Sequence, residues 1–104
     1  MKTQLKKGAL EMCVLAILSN KDSYAYEIVA QLADGLDMSE GTIYPLMRRL
    51  QNEKWVTNYL VESDHGPSRK YYKLAHAGRE QLAKMQLDWH AFINEVNHIL
   101  GTTA

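Results

Sequence analysis

The sequence lacks the features that mark secreted and membrane-spanning proteins. Its single cysteine, Cys13, cannot form an internal disulfide and lies in an apolar run, where cysteine usually behaves as a small buried hydrophobe. The longest apolar run, residues 12–18, is too short to span a bilayer. No charged and apolar leader with a small-residue cleavage site opens the chain. These absences favour a cytoplasmic protein with no membrane association.

The chain also lacks net charge and the short motifs of common enzymes. Its 12 Lys and Arg balance 12 Asp and Glu, so a nucleic-acid partner has to be sought in local rather than overall charge. There is no glycine-rich phosphate loop, no HExxH motif and no evident Cys and His arrangement. The histidines are scattered, and only Glu95 with His98 has a metal-like helical spacing. We expect no enzymatic activity, no metal and no cofactor.

The chain has 104 residues, a length that suits a single globular domain. Helical patterns occupy its first half. Residues 8–18 predict a helix that is apolar around nearly its whole circumference, so that the core covers one face and a second chain another. Residues 20–23 predict a turn and supply the N-cap of a second helix that ends at Gly35. Its predicted inner face consists of Tyr26, Ile28, Val29, Leu32 and Ala33. Ser39 is the expected cap of a third helix, with an inner face of Ile43, Leu46, Met47 and Leu50.

The second half predicts a β-hairpin and one long helix. Residues 55–62 and 69–74 have strand-like composition, and residues 63–68 form turns. In the second strand the alternation predicts a packed face with Tyr72 and Leu74, and a solvated face with Arg69, Tyr71 and Lys73. Residues 76–100 contain no proline, and their apolar positions follow the heptad rule for helix pairing. This seam consists of Leu82, Met85, Trp89, Phe92, Val96 and Ile99.

Three helices, a hairpin and a further helix follow each other in the order of a winged helix-turn-helix. The predicted fold is therefore mainly α with a small β-hairpin. We assign residues 1–74 to a winged helix-turn-helix DNA-binding domain and residues 75–104 to a C-terminal dimerisation helix. The third helix would enter the major groove, and the hairpin would reach an adjacent groove. Operator DNA and a second copy of the chain are the expected partners.

The outward face of the third helix carries groups suited to DNA. Arginine can bind guanine or phosphate, asparagine pairs with adenine, and threonine offers a hydroxyl and a methyl contact. No acidic residue occurs between Gly41 and Asn52. Pro45 would clash with the carbonyl of Gly41, so we expect a local distortion rather than a break there. The predicted DNA contacts are Ser39, Gly41, Thr42, Tyr44, Pro45, Arg48, Arg49 and Asn52 in this helix, Arg69 and Lys70 in the hairpin, and Lys6 in the N-terminal tail.

These residues resemble the PadR family of bacterial transcriptional regulators, in particular its short members with one C-terminal helix. The resemblance covers about residues 9–82 and is carried by YAYEI (24–28), SEGTIYPLMRRL (39–50) and SRKYYKL (68–74), with Gly78 after them. It implies a dimeric repressor that binds an inverted-repeat operator and, in several relatives, is released by a small aromatic effector. The chain departs from the family where Ala25 and Lys54 replace common glycines and Ala75 replaces a capping threonine.

Two interpretations of Trp89 are open. A large aromatic face at a dimer seam can stack a planar molecule, and relatives that bind flat hydrophobic drugs also have a tryptophan on the inner face of the last helix. The alternative is an ordinary buried seam residue. If the first and last helices form the interface, Met12, Met85, Phe92 and Ile93 would line the same region, and Asp88 beside Trp89 would be placed to hold a cationic ligand.

A second function from another class is also compatible with the sequence. Surface Arg and Lys side chains are often only solvated charges. With no net charge, the chain could keep the winged-helix scaffold as a protein-protein interaction module that binds no specific DNA.

Overall fold

The computed structural model describes residues 8–36 and 38–101, and its mainly helical fold with a small sheet confirms the predicted fold class. The helices are α1 (Ala9–Asn20), α2 (Ala25–Leu36), α3 (Glu40–Asn52) and α4 (His76–Leu100). The strands are β1 (Ser23–Tyr24), β2 (Val56–Ser63) and β3 (Gly66–Leu74). No helix in the described ranges has the length and apolar character needed to cross a membrane.

The sheet contains a short strand that the sequence did not indicate. Its order is β1-β3-β2, with both pairs antiparallel, and β1 pairs Ser23 with Tyr72 and Tyr24 with Tyr71. The prediction that residues 20–23 supply the N-cap of this helix is therefore wrong, since α2 begins only at Ala25. The residue directly before α2 is Tyr24, whose backbone N–H donates to Oε1 of Glu27 at 3.2 Å. This bond is one half of a capping box, in which the third helical residue reaches back to the cap.

The hairpin is longer and its turn tighter than predicted. Strand β2 continues to Ser63 and β3 already begins at Gly66, so the turn is residues 64–65 rather than 63–68. The register shifts between Val61 and Ser63, which leaves a β-bulge near the tip. Because β1 pairs only with Tyr71 and Tyr72, Pro67 lies where β3 has a free edge, and a residue without an N–H is tolerated there.

The core lies between the first three helices, the base of the sheet and the start of α4. The predicted inner face of α3 is confirmed, since Ile43, Met47 and Leu50 are fully buried and Leu46 is half-buried. The packed face of β3 is also confirmed. Besides the residues of α3, the core contains Val14, Leu15, Leu18, Ile28, Leu32, Tyr72, Leu74 and Leu82.

One residue of the predicted inner face of α2 points elsewhere. Tyr26 is 62% exposed, and its ring stacks on that of Tyr24 with centroids 6.4 Å apart. Ile28 and Leu32 provide the buried contacts of α2, with Val29 half-buried beside them. The side chain of Ala33 lies outside the described residues.

Helix α3 runs unbroken through Pro45 and ends in a geometry that directs the chain into the sheet. The N–H of Trp55 donates to the carbonyl of Leu50 at 3.1 Å, and that of Lys54 donates to Gln51 at 2.9 Å. These two bonds form a Schellman motif, which requires a left-handed residue after the helix. Lys54 takes this conformation at φ 64°. The non-glycine residue at this position is thus a strained departure from the family pattern.

Helix α4 is only partly covered by its own chain. Leu82 is buried and Met85 is half-buried, so the first turns of the predicted seam pack on the domain. Further along, Trp89 is 37%, Phe92 57% and Ile99 83% exposed. The helix ends at Gly101, which has a left-handed φ of 78°.

Candidate nucleic-acid interface and apolar pocket

The outward side of α3 forms one continuous polar surface. All eight residues predicted to contact DNA from this segment are exposed, and the surface they form is called the α3 face below. Ser39 lies at the N-cap, where its side chain caps no backbone group but lies 3.2 Å from the Thr42 hydroxyl. The α3 face carries no carboxylate after Glu40 in the first turn. An anionic backbone can therefore approach it without like-charge repulsion.

The two arginines of the α3 face have different surroundings. Arg49 forms an ion pair with Glu11 of α1, whose side chain is only 16% exposed. Arg48 forms no ion pair with any residue in the described ranges, and it interacts electrostatically with the phenol of Tyr72. Arg48 is thus the free cation of α3, whereas Arg49 connects α3 to α1. The acidic Glu11 within an otherwise apolar helix was the sequence signal for this pair.

The two predicted cations of the hairpin are neighbours on β3 that leave the strand on opposite sides, and both reach the cleft described below. Arg69 pairs with Val61 and Lys70 with Leu60 in the β2–β3 register, so their side chains alternate. The guanidinium carbon of Arg69 lies 4.8 Å from the ring centroid of Tyr24, a cation–π geometry. The third predicted phosphate contact outside α3, Lys6, lies outside the described residues.

The predicted solvated face of β3 is in fact partly aromatic. Tyr71 is half-buried, with its ring edge-on to Tyr24 at 5.4 Å and stacked on Tyr59 at 5.8 Å. The Tyr59 hydroxyl donates to Oδ2 of Asp22 at 2.7 Å. This hydrogen bond is the main reason that the pKa of Tyr59 is raised, with desolvation and the charge of Asp22 adding to it. The contact with Tyr24 was missed because it depends on β1, and the stacking on Tyr59 was missed because it depends on the register of the hairpin.

A cleft of about 230 Å³ opens between the start of α2, α3 and β3, and we call it the tyrosine cleft. No acidic side chain of the described residues lines it. Sequence reasoning identified Tyr44, Arg69 and Lys70 as DNA contacts but missed the others. The lining consists of Tyr24, Ala25, Tyr26, Tyr44, Ser68, Arg69, Lys70 and Tyr72.

A second pocket, of about 360 Å³, lies between the start of α1 and the middle of α4. The rings of Trp89 and Phe92 are 6.3 Å apart and inclined by 40° at its wall. The structure brings together five of the six residues predicted for this region, and Gly8 and Ala9 complete the lining, which does not include Ile93. We call this the apolar pocket; its effector-contacting residues would be Met12, Met85, Asp88, Trp89 and Phe92.

Comparison with known proteins gives consistent results. Residues 14–84 match the model of the transcriptional regulator PadR-like family. A PadR-like transcriptional regulator from Bacillus cereus is 40% identical, with 96% of this chain and 99% of that chain covered at a TM-score of 0.86. A transcriptional regulator from Streptococcus is 38% identical, with 94% and 98% covered at a TM-score of 0.83. A PadR family transcriptional regulator from Eggerthella lenta is 33% identical, with 96% and 88% covered at a TM-score of 0.86.

Proposed function

This chain belongs to the PadR-like family of transcriptional regulators, and we propose that it binds operator DNA as a homodimer through the α3 face and the β2–β3 hairpin. In this proposal residues 1–74 form the DNA-binding domain and residues 75–104 the dimerisation helix. The observation that carries it is the α3 face: an exposed helix surface free of carboxylates beyond its first turn, with Arg48 not engaged in an ion pair among the described residues.

Base and phosphate contacts divide between the two elements. Arg48, Thr42 and Asn52 offer the donors and acceptors that match base edges in the major groove. Arg69 and Lys70 lie on a hairpin beside α3 and would bind phosphates on either side of its contact site.

The uncovered part of α4 supports a homodimer. Trp89, Phe92 and Ile99 are exposed although they continue the heptad seam, and such a row is covered when two helices pair. A two-fold dimer presents two copies of the α3 face, so the operator would be an inverted repeat.

We propose that the bound dimer represses transcription and that a small aromatic effector in the apolar pocket releases it. The pocket supports this because it joins α1 with α4, the helix of the proposed dimer seam. A ligand that changes how these helices pack would change the distance between the two α3 faces.

The test begins with selection of duplexes from a random-sequence pool by the purified full-length chain. We expect one inverted-repeat sequence to be enriched, and its affinity to fall steeply with salt. Absent, sequence-indifferent or salt-insensitive binding would instead favour the protein-protein interaction module.

The dimer has its own test by sedimentation equilibrium. Phe92→Glu places a charge in the proposed seam and should shift the chain toward monomer. Asn94→Glu adds the same charge to the opposite side of α4 and should leave the mass unchanged. A wild-type chain that sediments as a monomer at micromolar concentration would contradict the proposed assembly.

A further inference from the structure

The tyrosine cleft has the size and the polarity of a site for one small anion. At about 230 Å³ it is smaller than sites for drug-sized molecules, which span about 300–1,000 Å³. Arg69 and Lys70 supply positive charge, and Ser68 and the tyrosines supply hydroxyl donors. The nearby carboxylate of Glu27 is engaged with the Tyr24 N–H and with Lys21, at 3.2 and 3.8 Å. Among the residues that the structure describes, the lining therefore contains donors for an anion and no carboxylate that would repel one.

Tyr72 provides a hydroxyl donor for this anion. The residue is only 4% exposed and lines the cleft, and none of the hydrogen bonds among the described residues uses its hydroxyl. The hydroxyl is not among the fully buried side-chain atoms that lack a partner, so it is open to the cleft. Burial and the neighbouring Tyr44 raise the pKa of Tyr72, while Arg48 opposes them, so that the phenol remains a donor at neutral pH.

Arg69 is held in place for the same ligand. Its guanidinium lies 4.8 Å from the Tyr24 ring centroid, and Tyr24 is in turn in edge contact with Tyr71 at 5.4 Å. A guanidinium that is oriented by an aromatic face has lost part of its rotamer freedom before the ligand arrives. It can then offer two parallel N–H donors to the oxygens of a phosphate.

The position of the cleft selects the source of the phosphate. Tyr44 belongs to both the cleft and the α3 face, and Arg69 and Lys70 belong to the hairpin. A ligand in the cleft would thus lie at the edge of the surface that the proposed function places on DNA, where the sugar-phosphate backbone passes between α3 and the hairpin.

We propose that the tyrosine cleft binds one phosphate of the DNA backbone, held by Tyr72, Ser68 and Arg69, and thereby links the hairpin to α3 on the same strand. This inference rests on the proposed function. It adds Tyr72 and Ser68 as ligand contacts, with Tyr24 as a positioning residue for Arg69.

The test uses the selected duplex with one methylphosphonate introduced at each backbone position in turn, which removes a single negative charge. For the wild type we expect about a tenfold loss of affinity at one position in each half-site, as for loss of a hydrogen bond to a charged group. Tyr72→Phe should lose a similar factor on unmodified DNA. It should show little further loss when the methylphosphonate is at that position, because the two changes remove the same contact.

Tyr59→Phe is the matched control, since it removes a hydroxyl from the same sheet that donates to Asp22 and does not line the cleft. Its affinity for the selected duplex, and the loss of affinity at each methylphosphonate position, should match those of the wild type. Thermal unfolding of both variants checks that the fold is retained.

Each alternative outcome has a distinct signature. If the wild type selects DNA but Tyr72→Phe binds it equally well, or if the Tyr72→Phe and methylphosphonate losses add independently, the cleft does not hold a backbone phosphate. If inorganic phosphate, followed by phosphorus NMR, saturates the wild type but not Tyr72→Phe and does not compete with DNA, the ligand is free phosphate and the proposal is wrong. A wild type that selects no duplex overturns the proposed function itself.

Discussion

Gly78 lies in direct contact with the backbone carbonyl of Trp55. A Cβ built on Gly78 would be 2.1 Å from the Trp55 oxygen, closer than side-chain carbons approach in real structures. The same oxygen accepts a hydrogen bond from the Ala75 N–H at 2.9 Å. The last residue of the Schellman motif of α3 is therefore also in contact with the first turn of α4. Glycine at position 78 lets α3 and α4 share one anchoring point.

Gly78→Ala should destabilise the fold. The new methyl group would push α4 away from a backbone oxygen that has no freedom to move aside, and overpacking of this kind costs about 2–3 kcal/mol. Chemical denaturation would measure the loss in the free energy of unfolding. Gly41→Ala is the control, because it makes the same change in the first turn of α3, where the nearest atom is 3.8 Å away. Equal stability of the two variants would show that the Trp55 contact is not restrictive.

Lys54→Gly should stabilise the fold by about 0.5–1 kcal/mol. A side chain at φ 64° costs about 1–2 kcal/mol, of which glycine gives back about half through its larger unfolded-state entropy. Lys54→Ala keeps the Cβ and should show no comparable gain in denaturant midpoint. If the glycine variant is no more stable than the alanine variant, Lys54 is not strained.

Arg48→Ala and Lys70→Ala should weaken DNA binding in different ways. Loss of Arg48 from the α3 face should cost about 1–3 kcal/mol on the selected duplex and relax its sequence preference. Loss of Lys70 should lower affinity evenly across sequences and reduce the salt slope by about one. Titrations at several salt concentrations separate the two effects, with Lys84→Ala on exposed α4 as the control. Unchanged binding in both variants would remove α3 and the hairpin from the interface.

Tyr59 should lose its proton at higher pH than an ordinary tyrosine. Its pKa is raised above 10.0 chiefly by the hydrogen bond to Asp22. Because the folded pKa exceeds the unfolded one, this group's stabilisation is complete below pH 10.0 and is lost as pH rises through the folded value. Tyrosinate absorbance of the wild type against Tyr59→Phe identifies the titration. Asp22→Asn should move it toward 10.0, and an unmoved titration would mean that Asp22 is not the cause.

The apolar pocket should bind a cationic aromatic ligand more tightly than a neutral aromatic ligand of equal size. Trp89 and Phe92 provide the ring contacts, and Asp88 on the rim provides the charge. We expect a quaternary naphthyl ammonium to quench Trp89 more strongly than a naphthol does, and Asp88→Asn to abolish the difference.

If the ligand releases DNA, it should lower the affinity for the selected duplex by some factor. Thermodynamic linkage then requires the duplex to lower the affinity for the ligand by the same factor. Trp55 contributes background fluorescence, so Trp89→Phe is the necessary control. Quenching that persists in Trp89→Phe would place the ligand elsewhere.

The sequence predicted those parts of the fold whose pattern is periodic. The inner residues Ile43, Met47 and Leu50 recur at helical spacing, and all are fully buried. Strand β1 has only two residues, which is too short for any alternation to be recognised. Tyr26 was misplaced for a different reason. It lies one helical turn before Val29, which is itself only half-buried at the edge of the inner face of α2.

The candidate site was predictable only where it lies on one element. The α3 face follows from the inner face of the same helix, since the exposed residues are those that remain. The tyrosine cleft joins Tyr24 and Tyr26 to Tyr72 through the pairing of β1 with β3, a contact between distant parts of the chain. The Arg49–Glu11 ion pair likewise depends on how α1 crosses α3. No periodicity within a segment carries such information.

The anchoring of α4 at its first turn has a mechanical consequence. With 25 residues, α4 is about 37 Å long, so tilting it by about 5° at the Gly78 contact displaces its last turn by about 3 Å. In the proposed dimer the two helices are joined along their free length, so the same small tilt would instead swing the whole DNA-binding half. A displacement of a few ångströms is comparable to the rise of one base pair along DNA, about 3.4 Å. In the proposed dimer, a tilt of this size is therefore enough to shift the α3 face out of register with its half-site.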